Sequence, residues 1–502
     1  SFDPFEGRSQ VKKSLRASWI IEPQLGFNRR FASHTINALI GFSVQEANNQ
    51  GQSFDGTGYS SDALLGTLGG AAEIRSAETN VDYRYGAGFM RLGYNYKDKY
   101  IINITGRSDG SSRFGPGKQY GTFGAVGLAW IFSEEQWVHN LGIISLGKLR
   151  VSNGVTGNDQ IGDSRFIKTY RPAFAGTYHG MVGLAPSALY NPDFSWETTK
   201  KLEAAMELGF FNDRLSLIVA SFRNRSSNQL IEYQLPSMTG FSSVFTNFDA
   251  TVENTGWEYS LSTRNFETKK FRWTTAFNIS FLKNKLVEFK GIEESPYATT
   301  FKVGEPLSLI QGYIWQGVDP QTGLHTFKDL DNSGSITSAD QEFLKPLTTR
   351  YFGGISNTLV LAGFELNFFI QFSERNARVS YFGAPGAGRV NQLKSVLQRW
   401  QKPGDITTVQ RFSTRGTALT EYSRFRSSDG VIEKVSFARL KTFTLSYLVP
   451  TSFANRVGLK NTKLFVQGQN LFTKTGFDGW DPETLYGVPP LRIISAGIQL
   501  KF

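Results

Sequence analysis

The sequence contains no cysteine and only 4 methionines. The first absence excludes disulfide frameworks, thiol nucleophiles and cysteine-ligated zinc or iron–sulfur centres. No apolar run reaches the roughly 18 residues that a membrane-spanning helix needs. The stretch from Ser1 to Arg16 is interrupted by Asp3, Glu6, Arg8 and Lys12, so it does not read as a signal peptide. Charged residues are scarce, at 19%, against roughly 25% in soluble domains. With 40% hydrophobic residues the chain is not disordered. What it has in quantity is 42 Phe, 19 Tyr and 51 Gly in 502 residues. Aromatic rings suit a pleated surface better than a helix, so the composition favours strands, and the shortage of charge hints at lipid contact.

The dominant pattern is period-two alternation. Trp273, Thr275, Phe277, Ile279 and Phe281 oppose Arg272, Thr274, Ala276, Asn278 and Ser280. Leu366, Phe368, Ile370 and Phe372 oppose Glu365, Asn367 and Gln371, with Phe369 the exception. Met90, Leu92, Tyr94 and Tyr96 repeat the pattern, and Ile494, Ala496, Ile498, Leu500 and Phe502 close the chain with it. Such strands are either half-buried in a soluble sandwich or set in a barrel whose apolar face meets lipid.

Connection lengths separate the two. Links at 97–99, 211–213, 266–270 and 361–364 are short, whereas long polar excursions fall near 43–84, 107–120, 154–195, 226–251, 283–350 and 373–434. Tight inner turns and long external loops are what a transmembrane barrel produces. About fifteen strands are counted at the usual outer-membrane length of about ten residues. The first, near Leu15 to Glu22, and the last, Leu491 to Phe502, both run inward, and single-chain bacterial barrels have even strand numbers. The chain is therefore expected to begin in an external loop of a larger barrel. Within Phe437 to Leu448 the apolar face changes sides between Leu440 and Phe443, which predicts a bulge. The segment Glu134 to Leu146 is expected to be a helix on the short-turn side.

Several segments, in order, resemble the C-terminal barrel of SusC/RagA-like TonB-dependent transporters of the Bacteroidota outer membrane. They are Tyr94-Asn-Tyr-Lys-Asp-Lys-Tyr100, Arg107-Ser-Asp-Gly-Ser-Ser-Arg-Phe-Gly115, Lys148-Leu-Arg-Val-Ser-Asn-Gly-Val-Thr-Gly-Asn158 and Trp196-Glu-Thr-Thr199. Asn254-Thr-Gly-Trp-Glu258, Val303-Gly-Glu-Pro306, Gly468-Gln-Asn-Leu-Phe472, Asp481-Pro-Glu483 and the terminal Phe502 complete the set. The resemblance implies an all-β, transmembrane antiparallel barrel with about 15 of 22 strands in this span and the plug domain outside it. It also implies active import of oligosaccharides or oligopeptides, a SusD-like surface lipoprotein as lid, and energy from TonB–ExbB–ExbD. The passive porin and the soluble or adhesive carbohydrate-binding β-sandwich stay as alternatives.

One constellation has the spacing of a calcium loop. In Asp329 to Asp340, oxygen ligands at positions 1, 3, 5, 7, 9 and 12 would be Asp329, Asp331, Ser333, the Ser335 carbonyl, Thr337 through a water, and Asp340, with Gly334 at the sharp turn. An Asx-rich turn without metal is the plainer alternative. The expected role is structural and the expected affinity modest, because Asp at the last position reaches less far than Glu.

No enzyme is indicated. His34, His139, His179 and His325 lack ligand spacing, adjacent acids such as Glu293 and Glu294 do not face each other, and no nucleophile elbow occurs. The net charge of +11 is spread without a basic stripe, so no nucleic acid is expected as partner. Cations such as Arg91, Arg107, Arg272 and Lys501 fit a wet lumen or a rim that meets anionic lipid. Loop aromatics, among them Tyr170, Tyr178, Tyr190, Phe241, Tyr297, Tyr381, Phe382 and Trp400, suit substrate stacking, an interfacial girdle or lid contact. The substrate-binding residues themselves are not legible.

Overall fold

The computed structural model describes residues 7–163, 165–178, 181–379, 383–389, 391–392, 394–451, 459–485 and 487–501. His179, Tyr381, Phe382 and Phe502 lie outside them. The strands are β1 (Ser9–Ile21), β2 (Gln24–Phe31), β3 (His34–Thr57), β4 (Glu73–Tyr96), β5 (Tyr100–Ser111), β6 (Tyr120–Ile131), β7 (Ile144–Asn158), β8 (Tyr170–Tyr178) and β9 (Met181–Pro186). Next come β10 (Glu197–Phe210), β11 (Leu215–Ser227), β12 (Gln229–Gln234), β13 (Ser243–Phe248), β14 (Ala250–Glu267) and β15 (Phe271–Phe289). Then follow β16 (Gln311–Gly312), β17 (Trp315–Val318), β18 (His325–Phe327), β19 (Glu342–Phe343), β20 (Thr349–Leu361), β21 (Phe364–Arg378), β22 (Ile432–Leu448), β23 (Lys460–Thr475) and β24 (Ile493–Lys501). The helices α1 (Gln136–His139) and α2 (Thr417–Phe425) sit in connections.

The main sheet runs β1-β3-β4-β5-β6-β7-β10-β11-β14-β15-β20-β21-β22-β23-β24, with β2 paired to β3. Segments β1 and β2 lie end to end on β3, broken at Glu22-Pro23, because proline has no N–H to give the ladder. Counted as one, they bring the meander to the fifteen strands read from alternation.

The chain divides into two compact units, Ser1–Ala129 with Ser152–Lys201 and Ser226–Asp249, and Trp130–Val151 with Leu202–Arg225 and Ala250–Phe502. In the first, β3 and β4 pair without interruption from His34↔Tyr96 to Thr57↔Glu73. The long excursion expected over 43–84 is therefore corrected to a tip at 58–72. In the distal part of these strands the hydrogen-bond ladder persists although neither face is apolar, so alternation stops before the strand does. Above the sheet, Phe114 and Phe194 are fully buried against Phe123 and Trp196. The Phe114 and Trp196 rings lie 5.1 Å apart, and the Trp196 indole donates to the Gln119 carbonyl at 3.0 Å.

In the second unit the register from β14 to β24 keeps one face apolar. Trp273, Leu359, Leu366, Leu445, Val466 and Ala496 form one continuous row of opposed residues. Arg272, Val360, Glu365, Ser446, Phe465 and Gly497 form the next row, on the other face. Phe369, the misplaced aromatic, packs over Gly354, which supplies the room by having no side chain. The bulge falls at Lys441, since Phe369 opposes Thr442 while Ile370 opposes Leu440. Short links such as Phe211-Asn-Asp213 turn through left-handed backbone, with φ of 57°, 58° and 58°. The segment expected to be a helix, 134–146, holds only the four-residue α1 and a 3₁₀ turn before strand resumes at Ile144. The remaining excursions start later than expected because β7, β15 and β21 run on to Asn158, Phe289 and Arg378.

Phe114 has no exposed surface. Phe114→Ala is expected to lower the unfolding free energy in detergent by about 3–5 kcal/mol, the usual cost of truncating a buried aromatic. Denaturant titration followed by tryptophan fluorescence measures it, and a loss below about 1 kcal/mol would mean that this cluster is not a packed core.

Candidate functional site

The apolar face of the second unit is bounded by two sets of rings. Toward the long loops, neighbouring strands carry a chain of contacts: Trp257–Tyr259 at 6.4 Å, Tyr259–Phe281 at 6.3 Å, Phe281–Tyr351 at 6.1 Å and Tyr351–Phe372 at 6.3 Å. Toward the short turns, Phe266 stacks on Trp273 at 6.0 Å and Phe364 meets Tyr447 at 4.5 Å. From Phe271 to Phe281 is about 34 Å along the strand, which a tilt of about 40° reduces to about 26 Å, the height of the apolar band of an outer-membrane wall. Trp257 is 52% exposed, as a girdle ring facing lipid should be. On this face the Asn357 amide accepts from the Trp273 indole at 2.9 Å and the Thr275 hydroxyl at 2.7 Å, and Asn265 donates to the same Thr275 hydroxyl at 2.8 Å, so these polar groups are not left bare to hydrocarbon.

The opposite face is polar and ion-paired. Arg150 bonds to Glu203, and to Glu207 at 3.0 Å. Arg439 is 1% exposed and is held by Asp481, by Glu483 at 2.6 Å and by the Thr473 hydroxyl at 2.9 Å. Lys441, the bulge residue, reaches Glu483 at 3.3 Å. Arg375 donates to the Pro482 and Glu483 carbonyls at 3.1 and 2.6 Å. The Asp481-Pro-Glu483 motif is thus a clamp that draws the last loop onto the inner wall. Other motifs resolve in the same way within the first unit. Asp159, which follows Asn158, accepts from Tyr83 at 2.9 Å and Ser111 at 2.8 Å, while Arg113 binds Asp163 at 3.0 Å and lies 4.5 Å over the Tyr83 ring.

The two longest excursions of the second unit interlock. The Tyr313 N–H donates to the Ser427 carbonyl at 3.0 Å and the Trp315 N–H to the Asp429 carboxylate at 2.8 Å. The Trp400 indole donates to the Pro320 carbonyl at 2.9 Å, and its ring packs on Gly323, whose φ is +68°. A side chain there would meet the indole in an already unfavourable backbone conformation. Trp400 and Tyr297, which also packs on Phe289 and Phe301, are thereby engaged in loop packing.

The 329–340 loop belongs to this body. Its carboxylates of Asp329, Asp331 and Asp340 converge, with oxygens within 4.8 Å of one another. Asp329 accepts from the Ser333 and Gly334 N–H groups at 3.2 and 2.8 Å, and Asp331 accepts from Ser333 at 3.0 Å. The Ser333 hydroxyl points at the Ser335 carbonyl, 3.0 Å away. Asp340 is fully buried and takes the Leu330 and Thr337 N–H groups at 2.7 Å each, while the Thr337 hydroxyl caps the 3₁₀ turn that follows. The hydroxyl and N–H of Ser333 hold the Asp331 carboxyl below its ordinary range, and the Thr337 and Leu330 amides do the same for Asp340. Arg424 of α2 donates to the Ile336 carbonyl at 2.6 Å and fastens the loop.

The model of the family described as "TonB dependent receptor-like, beta-barrel" matches residues 15–471. The chain belongs to this family. Curated relatives include TonB-dependent receptor P3 of Formosa agariphila, 28% identical over 96% of this chain and 52% of the relative, and TonB-dependent receptor SusC of Bacteroides thetaiotaomicron, 25% identical over 82% and 43%. Among solved structures, the RagAB peptide transporter superposes with a TM-score of 0.85 at 24% identity, covering 99% of this chain and 56% of that one. The chain spans about half the length of the relatives it matches. It is a transmembrane wall of an outer-membrane receptor barrel, not an enzyme, and the soluble sandwich alternative falls away. Its apolar face meets lipid, its ion-paired face lines the lumen, and the long loops stand outside.

Sequence spacing found the carboxylates of the 329–340 loop; it missed His325, read only as unsuited to metal. His325 is 3% exposed. It accepts from the Trp315 indole at 3.1 Å and stacks on Phe425 at 4.1 Å. Burial pushes its pKa from the ordinary 6.5 to about 4. The native state therefore holds it neutral while the unfolded chain takes up a proton, so stability is complete above about 6.5 and falls as pH drops toward 4. Thermal unfolding of the full chain, followed by tryptophan fluorescence, should show this slope, and His325→Phe should flatten it. An unchanged slope would remove His325 as its cause.

Proposed function

We propose that the full-length protein imports a bulky nutrient, an oligosaccharide or an oligopeptide, across the outer membrane as the barrel of a SusCD-type complex. A SusD-like surface lipoprotein closes the outer mouth. TonB–ExbB–ExbD supplies the energy that displaces a plug. The observation that carries this reading is the family match over residues 15–471, joined to the likeness to SusC and to the fold of a peptide transporter. The polar, ion-paired inner wall and an outer body of interlocked loops, firm enough for a lid to close on, support it. On that inner wall Arg150 and Arg439 are paired with carboxylates, which suits neutral or mixed-charge cargo better than a polyanion.

Extraction of the native protein in detergent should recover a lipoprotein of comparable abundance. Uptake of a labelled oligosaccharide or oligopeptide library should cease when the proton-motive force is collapsed. Uptake that continues without that force would make the barrel a passive porin.

The same proposal gives the 329–340 loop one calcium ion, held by Asp329, Asp331, Ser333, the Ser335 carbonyl and Asp340, with Thr337 contributing through water. The ion would offset two of the three negative charges of the converging carboxylates and stiffen the loop that Arg424 anchors. Asp331→Ala is expected to lower the melting temperature by a few degrees in calcium buffer and to leave it unchanged in chelator. An equal effect in both would make the loop an Asx-rich turn without metal.

A further inference from the structure

A groove of about 1120 Å³ crosses the outward face of the second unit at the loop end of strands β10, β11, β14, β15, β20, β21 and β22. It is lined by apolar and aromatic residues, among them Leu202, Trp257 and Phe281, together with cationic ones. On β15, Phe281, Lys283 and Lys285 share one face, opposite Trp257, Thr255 and Glu253. Each two-residue step is about 7 Å along the strand, so the lysines stand one and two steps outside the aromatic ring. That is the level of the lipid headgroups, since girdle rings mark the boundary of the hydrocarbon.

Beside them, Arg223 and Arg225 approach Glu253 at 4.0 and 2.6 Å, and Arg350 and Lys434 approach Glu374 at 3.2 and 3.0 Å. Each carboxylate is shared by two cations, and no ion pair forms at Lys283 or Lys285 among the described residues. Of the groove's lining residues, Arg223, Lys283, Lys285, Arg350 and Lys434 face only Glu253 and Glu374, with Arg225 beside them, so the groove carries an excess of positive charge. Arg350 and Lys434 are 72% and 60% exposed. Long cationic side chains grouped this way do not strengthen a wall, because exposed ion pairs contribute little and like charges repel. They do suit an anion that arrives with its own apolar body.

We propose that this groove is a binding site for a phosphorylated glycolipid of the outer leaflet. Its phosphate would lie among Lys283, Lys285, Arg223 and Arg350, and its acyl chains would run down past Phe281, Trp257 and Leu202. Guanidinium and ammonium groups match phosphate by charge-assisted hydrogen bonds, and the row of rings below offers a flat apolar bed for acyl chains. The site depends on the barrel's membrane orientation and not on what the barrel transports.

The test uses the delipidated full-length protein in detergent, with binding of monophosphoryl lipid A read by native mass spectrometry and by titration. The expected result is saturable binding that weakens at least tenfold in Arg223→Gln/Lys283→Gln/Lys285→Gln. It should also weaken for the enzymatically dephosphorylated lipid and stay unchanged in Lys269→Gln/Lys270→Gln at the opposite end of the wall. The charge-conserving Lys283→Arg/Lys285→Arg pair should retain binding and guards against loss by misfolding. Equal binding of the triple variant overturns the proposal. Competition by millimolar inorganic phosphate would make the ligand a free anion and overturn the lipid assignment. A mass shift to a second protein chain, with no glycolipid bound, would make the groove a protein interface and also overturn it.

Discussion

In hydrocarbon no water is available to a peptide group, so every N–H and C=O at membrane depth must find a partner within the protein. The antiparallel ladder from β1 to β24 is the answer this chain gives, and the rest of its architecture follows from it. Once the ladder is imposed, side chains alternate strictly between two environments, and a single residue out of step reverses a whole strand. The bulge at Lys441 shows how a necessary change of step is accommodated. One residue is extruded, the apolar face is restored on both sides, and the extruded side chain swings onto Glu483, where it helps hold the last loop. The ladder also tolerates an amide on the lipid face only because Asn357 is satisfied by its own neighbours.

Outside the lipid the constraint is lifted and the chain behaves like a soluble protein. The excursions after β15 and β21 build a small core around His325, Trp315, Tyr422 and Phe425 and bond to each other through the backbone. The last loop is instead drawn inward by the buried Arg439. Two different means thus order the outer side of this unit. Ordered loops above a polar wall suit the selective import proposed above, because specificity in a barrel resides in what stands over the lumen.

The lipid-facing part of the fold was legible in the sequence because the environment there has only two states. Trp273 to Phe281, Leu366 to Phe372 and Ile494 to Leu500 could be read directly, and so could the Leu440–Phe443 discontinuity. The strands that leave the membrane were not legible. Residues 48–57 and 73–84 alternate between two wet faces, and nothing in Asn49-Gln50-Gly51-Gln52 announces a paired strand. The motifs were visible as text but not as physics. That Phe114 and Trp196 stack, or that Asp481 and Glu483 clasp Arg439, requires knowing which residues some 40 to 80 positions apart are brought together. The 329–340 loop was the one candidate site fully contained in a short stretch, and its carboxylates do converge.

The clasp between the two longest loops also determines how this surface looks from outside the cell. Tyr313 and Trp315 sit beside Ser427 and Asp429, and Pro320 beside Trp400, so a patch that spans these contacts, as an antibody or a phage tail fibre would grip it, is assembled from both loops. Neither loop presents that patch alone. Drift in one is therefore constrained by the other, and the surface is bound to vary in pairs of compensating changes rather than loop by loop.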